Sequence, residues 1–309
     1  MTKFRIKREV LNSAEERLLT FQQREDTGVL ATEAEEEEVS EEEEEENELE
    51  SGIVIARNIS LKNYLDYRNG ETRFTVDTRL LDGKVIIYEA PLSIHGAVAG
   101  EFTTRMRFWH NNLVACGERD VIIGVRSVSR PDGSIQPDDL PKPAPGRGCD
   151  LDDWPYPTVV IEVGVSEGLA SLHSLTSRYF SMRTTIRIYL AVKIFGRRRD
   201  VTRAMVAFLY QRLNQGLPIL PIVIKSFGTA PLHHNTVKFF RNRNIPDRAI
   251  TGFGRNAAPP CNGPNIPDYQ INIPAAEIFR GSPTGVPPNL VAGFNLDLYW
   301  LQRVALLYN

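Results

Sequence analysis

Two carboxylates stand out in the sequence because of the residues around them. Glu162 lies in the middle of the apolar run 159–165, and Asp138 belongs to the loop motif Gln136-Pro137-Asp138. A carboxylate buried between valines and isoleucines needs a cation or hydrogen-bond donors to offset the cost of burial. Two carboxylates from neighbouring strands are also the minimum for holding a hard cation such as Mg²⁺. The pair therefore indicates a candidate metal site.

Helix-like and strand-like segments alternate around these two carboxylates. Apolar spacing near three and four predicts helices at 95–111, 166–183 and 294–308. Apolar runs predict strands at 84–88, after the turn Asp82-Gly83, and at 120–128, 158–165, 186–195, 204–212 and 218–227. The segments 129–157 and 228–290 are rich in turn formers and predict irregular loops. This order predicts an α/β fold with a mixed central β-sheet flanked by helices.

The same order of elements resembles the core of the PD-(D/E)XK nuclease superfamily, and within it the restriction endonuclease-like branch. The matching segments lie within residues 75–225 and read DGKVIIYEAPLSIH, IQPDD, VVIEVGVSEG and SRYFSMRTTIRIYLAVKIF. The resemblance implies a restriction endonuclease-like core. It also implies a metal-dependent nuclease that hydrolyses DNA phosphodiesters with Mg²⁺ or Mn²⁺.

The resemblance assigns roles to individual residues. Asp138 and Glu162 would bind the metal, and the backbone carbonyl of Val163 would be a further ligand. Glu101 matches the position of an additional catalytic carboxylate in some members. Each residue also has a plainer interpretation: Asp138 caps a turn, Glu162 pairs with an arginine, and Glu101 is a solvated helix residue.

The lysine of the family motif is missing. Gly164 stands close after Glu162, where the strict motif has its lysine, and Leu175 stands four residues before Tyr179, where some members carry a displaced one. Three basic residues are candidate substitutes: Lys142, Arg178 and Arg183. A catalytically inactive nuclease-fold module that binds nucleic acid or protein is therefore the alternative function. A third interpretation is an unrelated α/β scaffold.

Charge is distributed unevenly along the chain. Residues 1–50 contain six basic and eighteen acidic residues, a net charge of −12, whereas residues 51–309 carry a net charge of +9. A basic body attracts polyanions, and the cluster Arg197, Arg198, Arg199 and Arg203 is the candidate nucleic-acid-binding surface. A polar hairpin turn with solvated charges is the alternative interpretation of that cluster.

The composition divides the chain into a tail and one domain. Residues 1–50 predict a disordered acidic tail with a marginal helix at 9–24, and residues 51–309 predict a single domain whose loop-rich extension covers 228–309. The tail is expected to contact basic proteins or the basic face of its own chain. Three cysteines without CxxC spacing, and no apolar run long enough to span a bilayer, predict an intracellular protein, cytoplasmic or nuclear.

Overall fold

The described part of the chain forms a seven-stranded mixed sheet, a five-stranded antiparallel sheet that adjoins it, and a separate two-stranded antiparallel sheet. The computed structural model describes residues 4–27, 52–70, 76–90, 92–117, 119–213 and 219–308. Its strands are β1 (Ile53–Ala56), β2 (Asp77–Leu81), β3 (Lys84–Glu89), β4 (Leu113–Ala115), β5 (Val121–Gly124), β6 (Ser127–Ser129), β7 (Gly133–Pro137), β8 (Val159–Gly164), β9 (Ile188–Arg197), β10 (Arg203–Gln211), β11 (Val223–Gly228), β12 (Ile250–Gly252), β13 (Gln270–Ile273) and β14 (Phe294–Asp297). Its helices are α1 (Arg8–Thr27), α2 (Leu61–Gly70), α3 (Ser93–Trp109), α4 (Leu169–Tyr179), α5 (His234–Arg241), α6 (Ala275–Ile278) and α7 (Leu298–Leu307).

The larger sheet has the order β12-β11-β10-β9-β8-β7-β4. Strands β8 and β9 run parallel at its centre, and β7 pairs antiparallel with β8. Side chains alternate along β8, so Ile161 and Val163 pack towards α3 and α7, whereas Val160 packs towards α4 and α5. The predicted α/β class, a mixed sheet flanked by helices, is confirmed.

The smaller sheet has the order β1-β3-β2-β6-β5. Strands β2 and β3 form the hairpin that Asp82-Gly83 predicts. Both turn residues have positive φ, 50° and 78°, as a type I′ turn requires. Helix α2 covers one cluster of this sheet through Tyr64 and Leu65.

Helix α1 lies within the segment that the sequence predicts to be a disordered tail. Leu11, Ala14 and Leu18 are buried against Ile53 of β1 and Ile87 of β3. The apolar residues of α1 are few, and they become a stable face only because the smaller sheet offers a matching apolar surface. Residues 28–51, which contain most of the predicted acidic run, lie outside the described residues.

Two segments predicted as loops contain regular structure. Strand β7 lies inside 129–157; all its residues are buried because β4 and β8 flank it, although Ile135 is its only large apolar side chain. The segment 228–290 contains α5, α6, β12 and β13. The sequence does not predict these elements, because their residues are typical of turns and become buried only through contacts with distant parts of the chain. Among the helices that the structure describes, none has the length and apolar character to cross a membrane.

Candidate active site

Strand β7 has a Pro-Asp dipeptide at each end. Pro131-Asp132 precedes the strand, and Pro137-Asp138 ends it. The antiparallel register pairs Gly133 with Ile161, so the next residues outward on the two strands are Asp132 and Glu162. Asp138 is six residues further along, which is about 20 Å at roughly 3.3 Å per residue. The structure therefore brings Glu162 to Asp132 and separates it from the predicted partner Asp138.

Asp138 occupies a turn at the surface. Its side chain is exposed, and its backbone N–H donates to the carbonyl of Asn112 at 2.8 Å. Its neighbour Asp139 accepts hydrogen bonds from Ser282 and Thr284. The prediction that Asp138 shares a site with Glu162 is corrected by the strand register, because the register determines which end of β7 faces Glu162.

Asp132 links β8 to the first turn of α3. Its Oδ2 accepts the backbone N–H of Val163 at 2.6 Å, and its Oδ1 lies 2.9 Å from Nε2 of His95. Burial opposes a charge on His95, but the carboxylates of Asp132, Glu89 and Asp77 outweigh it and raise the pKa of His95 to about 10. His95 is therefore an imidazolium at neutral pH, and its charge compensates Asp132.

Glu162 is fully buried in the middle of β8. The hydroxyl of Tyr179 on α4 donates to its Oε1, whereas its Oε2 has no hydrogen-bond partner among the described residues. Burial, and then the negative charge of Asp132, raise the pKa of Glu162 well above its ordinary value. An unbonded, buried carboxylate oxygen is rare in folded proteins and marks a position where a ligand or ion would be stabilised.

Two more acidic side chains surround this pair. Asp77, at the start of β2, has a pKa raised to about 6, chiefly by burial. Glu89, at the end of β3, accepts the backbone N–H groups of Val165, Ser166 and Glu167 at 2.8, 2.8 and 3.0 Å. The smaller sheet thus supplies carboxylates to the edge of the larger one.

Two buried cations hold the chain that follows β8. Arg79 of β2 makes a bidentate pair with Glu167, at 2.7 and 3.2 Å, and lies 3.3 Å from the centre of the Tyr88 ring. Lys193 of β9 donates to the carbonyls of Val165 and Glu167 at 2.8 and 3.0 Å. Both cations are committed to structural contacts at this edge.

The remaining predicted site residues lie elsewhere. Glu101 pairs with Arg105 on the same helix at 2.6 Å and lines a groove between α3 and α7. Among the candidate replacements for the lysine, Arg178 pairs with Asp82, and Arg183 donates to backbone carbonyls of the surface loop at 146–148. Lys142 is exposed in the loop after β7.

The predicted nucleic-acid-binding arginines divide into two groups. Arg197, at the end of β9, and Arg199, in the connection to β10, are exposed, whereas Arg198 donates to the carbonyl of Pro231 at 2.6 Å. Arg203 is buried at the start of β10 and so does not share the open surface. Because β9 runs parallel to β8 and continues past Lys193, this hairpin projects from the same edge of the sheet as the carboxylates.

The sequence analysis missed Asp132, His95, Asp77 and Glu89. The signal for Asp132 was present, because Pro131-Asp132 repeats the dipeptide chosen at 137–138. Lys193 carried the same signal as Glu162, a charge within an apolar strand. The other residues have no local pattern and are recognisable only from their contacts.

The chemical type of the ligand atoms suits a hard divalent cation. Asp132 and Glu162 offer carboxylate oxygens, and none of the residues that the structure describes forms a hydrogen bond with Oε2 of Glu162. The arrangement is not that of a preformed cage: within the described ranges no three His, Cys, Asp or Glu side chains converge closely enough to hold a metal ion. Asp132 is already bonded to Val163 and His95. A cation would therefore be held by few protein ligands, and water or substrate oxygens would complete its coordination.

Comparisons with known proteins give a likeness in structure and none in sequence. No protein-family model matches the chain, and no curated protein matches it. The crystal structure of a putative nuclease belonging to DUF820 from Anabaena variabilis ATCC 29413 is similar over 57% of this chain and 90% of that chain. The TM-score is 0.37 and the sequence identity 14%, which are too low to place this chain in that family.

Proposed function

We propose that the protein is a metal-dependent nuclease that hydrolyses phosphodiester bonds of DNA, with Asp132 and Glu162 as its metal-binding carboxylates. The observation that carries the proposal is the register of β7 and β8, which makes Asp132 and Glu162 neighbours, while Oε2 of Glu162 has no hydrogen-bond partner in the described part of the chain. In the PD-(D/E)XK pattern, the dipeptide would be Pro131-Asp132 in place of the predicted Pro137-Asp138.

A divalent cation supplies the chemistry that these residues lack. Asp132, Glu162 and the carbonyl of Val163 would hold Mg²⁺ or Mn²⁺, which lowers the pKa of bound water and offsets charge on the phosphodiester. The raised pKa of Glu162 favours its neutral form. Deprotonation of Glu162 and cation binding therefore favour each other, and Tyr179 keeps the carboxyl oriented throughout.

His95 is the proposed replacement for the missing lysine. Of the three cations at this edge, Arg79 and Lys193 are enclosed and committed to Glu167 and to backbone carbonyls. His95 is buried but is the least enclosed of the three, with 11% of its side chain exposed, and the surrounding carboxylates keep it protonated. It can therefore present a positive charge to a phosphate oxygen at the mouth of the site.

The test is a cleavage assay on plasmid and single-stranded DNA with Mg²⁺ or Mn²⁺. Asp132→Asn and Glu162→Gln are each expected to reduce the rate by about a hundredfold or more, because each removes a ligand of a cation worth several kcal/mol. Asp138→Asn is the matched control, since it changes the other Pro-Asp dipeptide of the same strand. The proposal fails if Asp138→Asn abolishes cleavage and Asp132→Asn leaves it intact.

A catalytically inactive nuclease-fold module that binds nucleic acid or protein is the second candidate. It is favoured by the bonds that Asp132 and Glu162 already make to His95, Val163 and Tyr179, which satisfy both side chains in part without a cation. The same assay separates the two functions. Retained DNA binding without cleavage under either metal would establish the inactive module.

A further inference from the structure

A groove between α3 and α7 lies apart from the residues of the proposed active site. Its volume is about 550 Å³, and β14 closes it on one side. Trp109 lies at its base and packs against Phe279 and Phe294, with ring centroids 6.2 and 5.5 Å away. The base of the groove is therefore aromatic and well supported.

The wall of the groove combines a flat ring with two arginines. The guanidinium of Arg105 lies 4.2 Å from the ring centre of Trp300, and that of Arg303 lies 5.4 Å from it. Glu101 compensates Arg105 at 2.6 Å. Arg303 is exposed and has no acidic partner within the part of the chain that the structure describes. Arg303 thus places an exposed positive charge beside the indole, in a groove whose lining also includes Asp297.

Large apolar side chains at the rim of the groove are exposed to solvent. Phe108 is 85% exposed and Leu307 is 72% exposed. Exposed aromatic rings next to arginines form the surface that unpaired bases prefer, because rings and guanidinium planes stack on bases while the positive charge attracts phosphate. A partner recognised by apolar contacts alone would gain nothing from Arg303.

We propose that this groove binds an unpaired base of single-stranded nucleic acid, with the base on Phe108 and Trp300 and a phosphate beside Arg303. The proposal names the form of the substrate and in that respect rests on the proposed nuclease function. His95 and Arg105 are ten residues apart on α3, about 15 Å along the helix axis. A few nucleotides of one strand span that length.

Binding is measured with the full chain carrying Glu162→Gln, so that the probe is not cut. The probes are a fluorescent oligothymidylate and a duplex of the same length. Phe108→Ala and Arg303→Gln are each expected to weaken binding of the single strand about tenfold. Arg303→Gln should also lower the slope of log affinity against log salt by about 0.7. Met182→Ala and Arg248→Gln change an exposed apolar side chain and an exposed arginine outside the groove, and are expected to have no effect.

The proposal is overturned if both groove variants bind the single strand as tightly as the parent. It is also overturned if the two substitutions weaken binding of the duplex as much as binding of the single strand. Sedimentation of the same proteins tests a second copy as the occupant: a dimeric parent that Phe108→Ala converts to a monomer would also overturn it. If the wild type cuts DNA but the groove variants bind the single strand normally, the proposal for the groove is rejected and the proposed nuclease function stands. If the groove variants weaken binding but the wild type does not cut DNA, the proposed nuclease function is rejected and the proposal for the groove stands.

Discussion

The buried carboxylates at the end of β8 differ in how many donors each one has. Glu89 accepts three backbone N–H groups, and Asp132 accepts one and lies against an imidazolium. Among the described residues, Glu162 accepts a hydrogen bond only from the hydroxyl of Tyr179. Since donors stabilise the charged form, Glu162 is the residue with the most to gain from a cation. This difference is the physical reason for placing Glu162 at the centre of the proposed site.

A half-buried histidine, His173, lies away from this site. Nδ1 of His173 on α4 is 2.6 Å from the hydroxyl of Tyr210. Burial, and then the positive charge of Arg243, lower the pKa of His173 to about 4. The unfolded chain binds this proton more readily, with a pKa of about 6.5. The stabilising contribution is therefore complete above pH 6.5 and is lost as the pH falls from 6.5 through 4.

We expect His173→Gln to remove part of the acid sensitivity of folding. Wild type should lose about 1 to 2 kcal/mol more unfolding free energy than this variant between pH 7 and pH 4.5, after allowance for solvent screening of a half-buried group. Urea denaturation at the two pH values measures the difference. His234→Gln, at an exposed position, is the control and should keep the wild-type response. Equal acid sensitivity of wild type and His173→Gln would contradict the assignment.

At the scale of elements, a buried ion pair connects the smaller sheet to the edge of the larger one. Arg79 belongs to β2, and Glu167 follows β8. Both side chains are almost fully enclosed. Removing one partner of such a pair leaves an uncompensated buried charge, which is more costly than replacing both partners by apolar residues.

Arg79→Met is expected to lower the unfolding free energy by about 3 to 5 kcal/mol. The double variant Arg79→Met with Glu167→Leu should recover part of that loss, because no buried charge is then left alone. Guanidinium denaturation of the two variants and wild type gives the comparison. Arg178→Ala, which breaks the exposed pair with Asp82, should change the unfolding free energy by less than about 1 kcal/mol. A double variant less stable than Arg79→Met would refute this account.

The packing of α1 also belongs to this scale. Leu18 is fully buried among residues of α1 and the smaller sheet. Leu18→Ala is expected to lower the unfolding free energy by about 2 to 4 kcal/mol, since it removes buried methyl groups and leaves a cavity. Val10→Ala, on the exposed side of the same helix, should cost less than about 1 kcal/mol. Thermal unfolding measures the stability of both variants. Equal stabilities of Leu18→Ala and Val10→Ala would mean that α1 does not pack against the smaller sheet.

At the scale of the whole molecule, charge is segregated. The first fifty residues carry a net charge of −12 and the remainder carries +9. The exposed arginines of the β9–β10 hairpin project from the edge that also carries the proposed active site. Phosphate binding at such a surface releases counterions, so its contribution appears in the salt dependence of affinity.

Arg197→Gln combined with Arg199→Gln is expected to weaken DNA binding and to lower the slope of log affinity against log salt by about 1 to 2 for duplex DNA. Titrations at several salt concentrations measure this slope. Arg241→Gln with Arg248→Gln removes the same number of exposed charges from another surface and is the control. An equal change of slope in both double variants would show that only the net charge matters.

Much of the architecture follows from local patterns. Asp82-Gly83, the apolar runs of β8 to β11 and the spacing of α3 and α4 identify these elements, because strand and helix periods are written in neighbouring residues. Strand β7 was not recognisable in this way, and for α1 the spacing predicted only a marginal helix and not its packing against the smaller sheet. Their apolar content is too low to form structure alone, and they become ordered only against surfaces that distant parts of the chain provide.

The sequence by itself determined that Glu162 is a buried carboxylate in a central strand and that a Pro-Asp dipeptide precedes it. Only the tertiary structure decided which of the two Pro-Asp dipeptides lies beside Glu162, because Asp132 and Asp138 have the same local sequence pattern at opposite ends of β7. Strand register is set by non-local pairing, and it brings Asp132 to Glu162 while His95 arrives from α3. Because Asp132, Glu162 and His95 come from three separate places in the chain, no single stretch of sequence contains their arrangement.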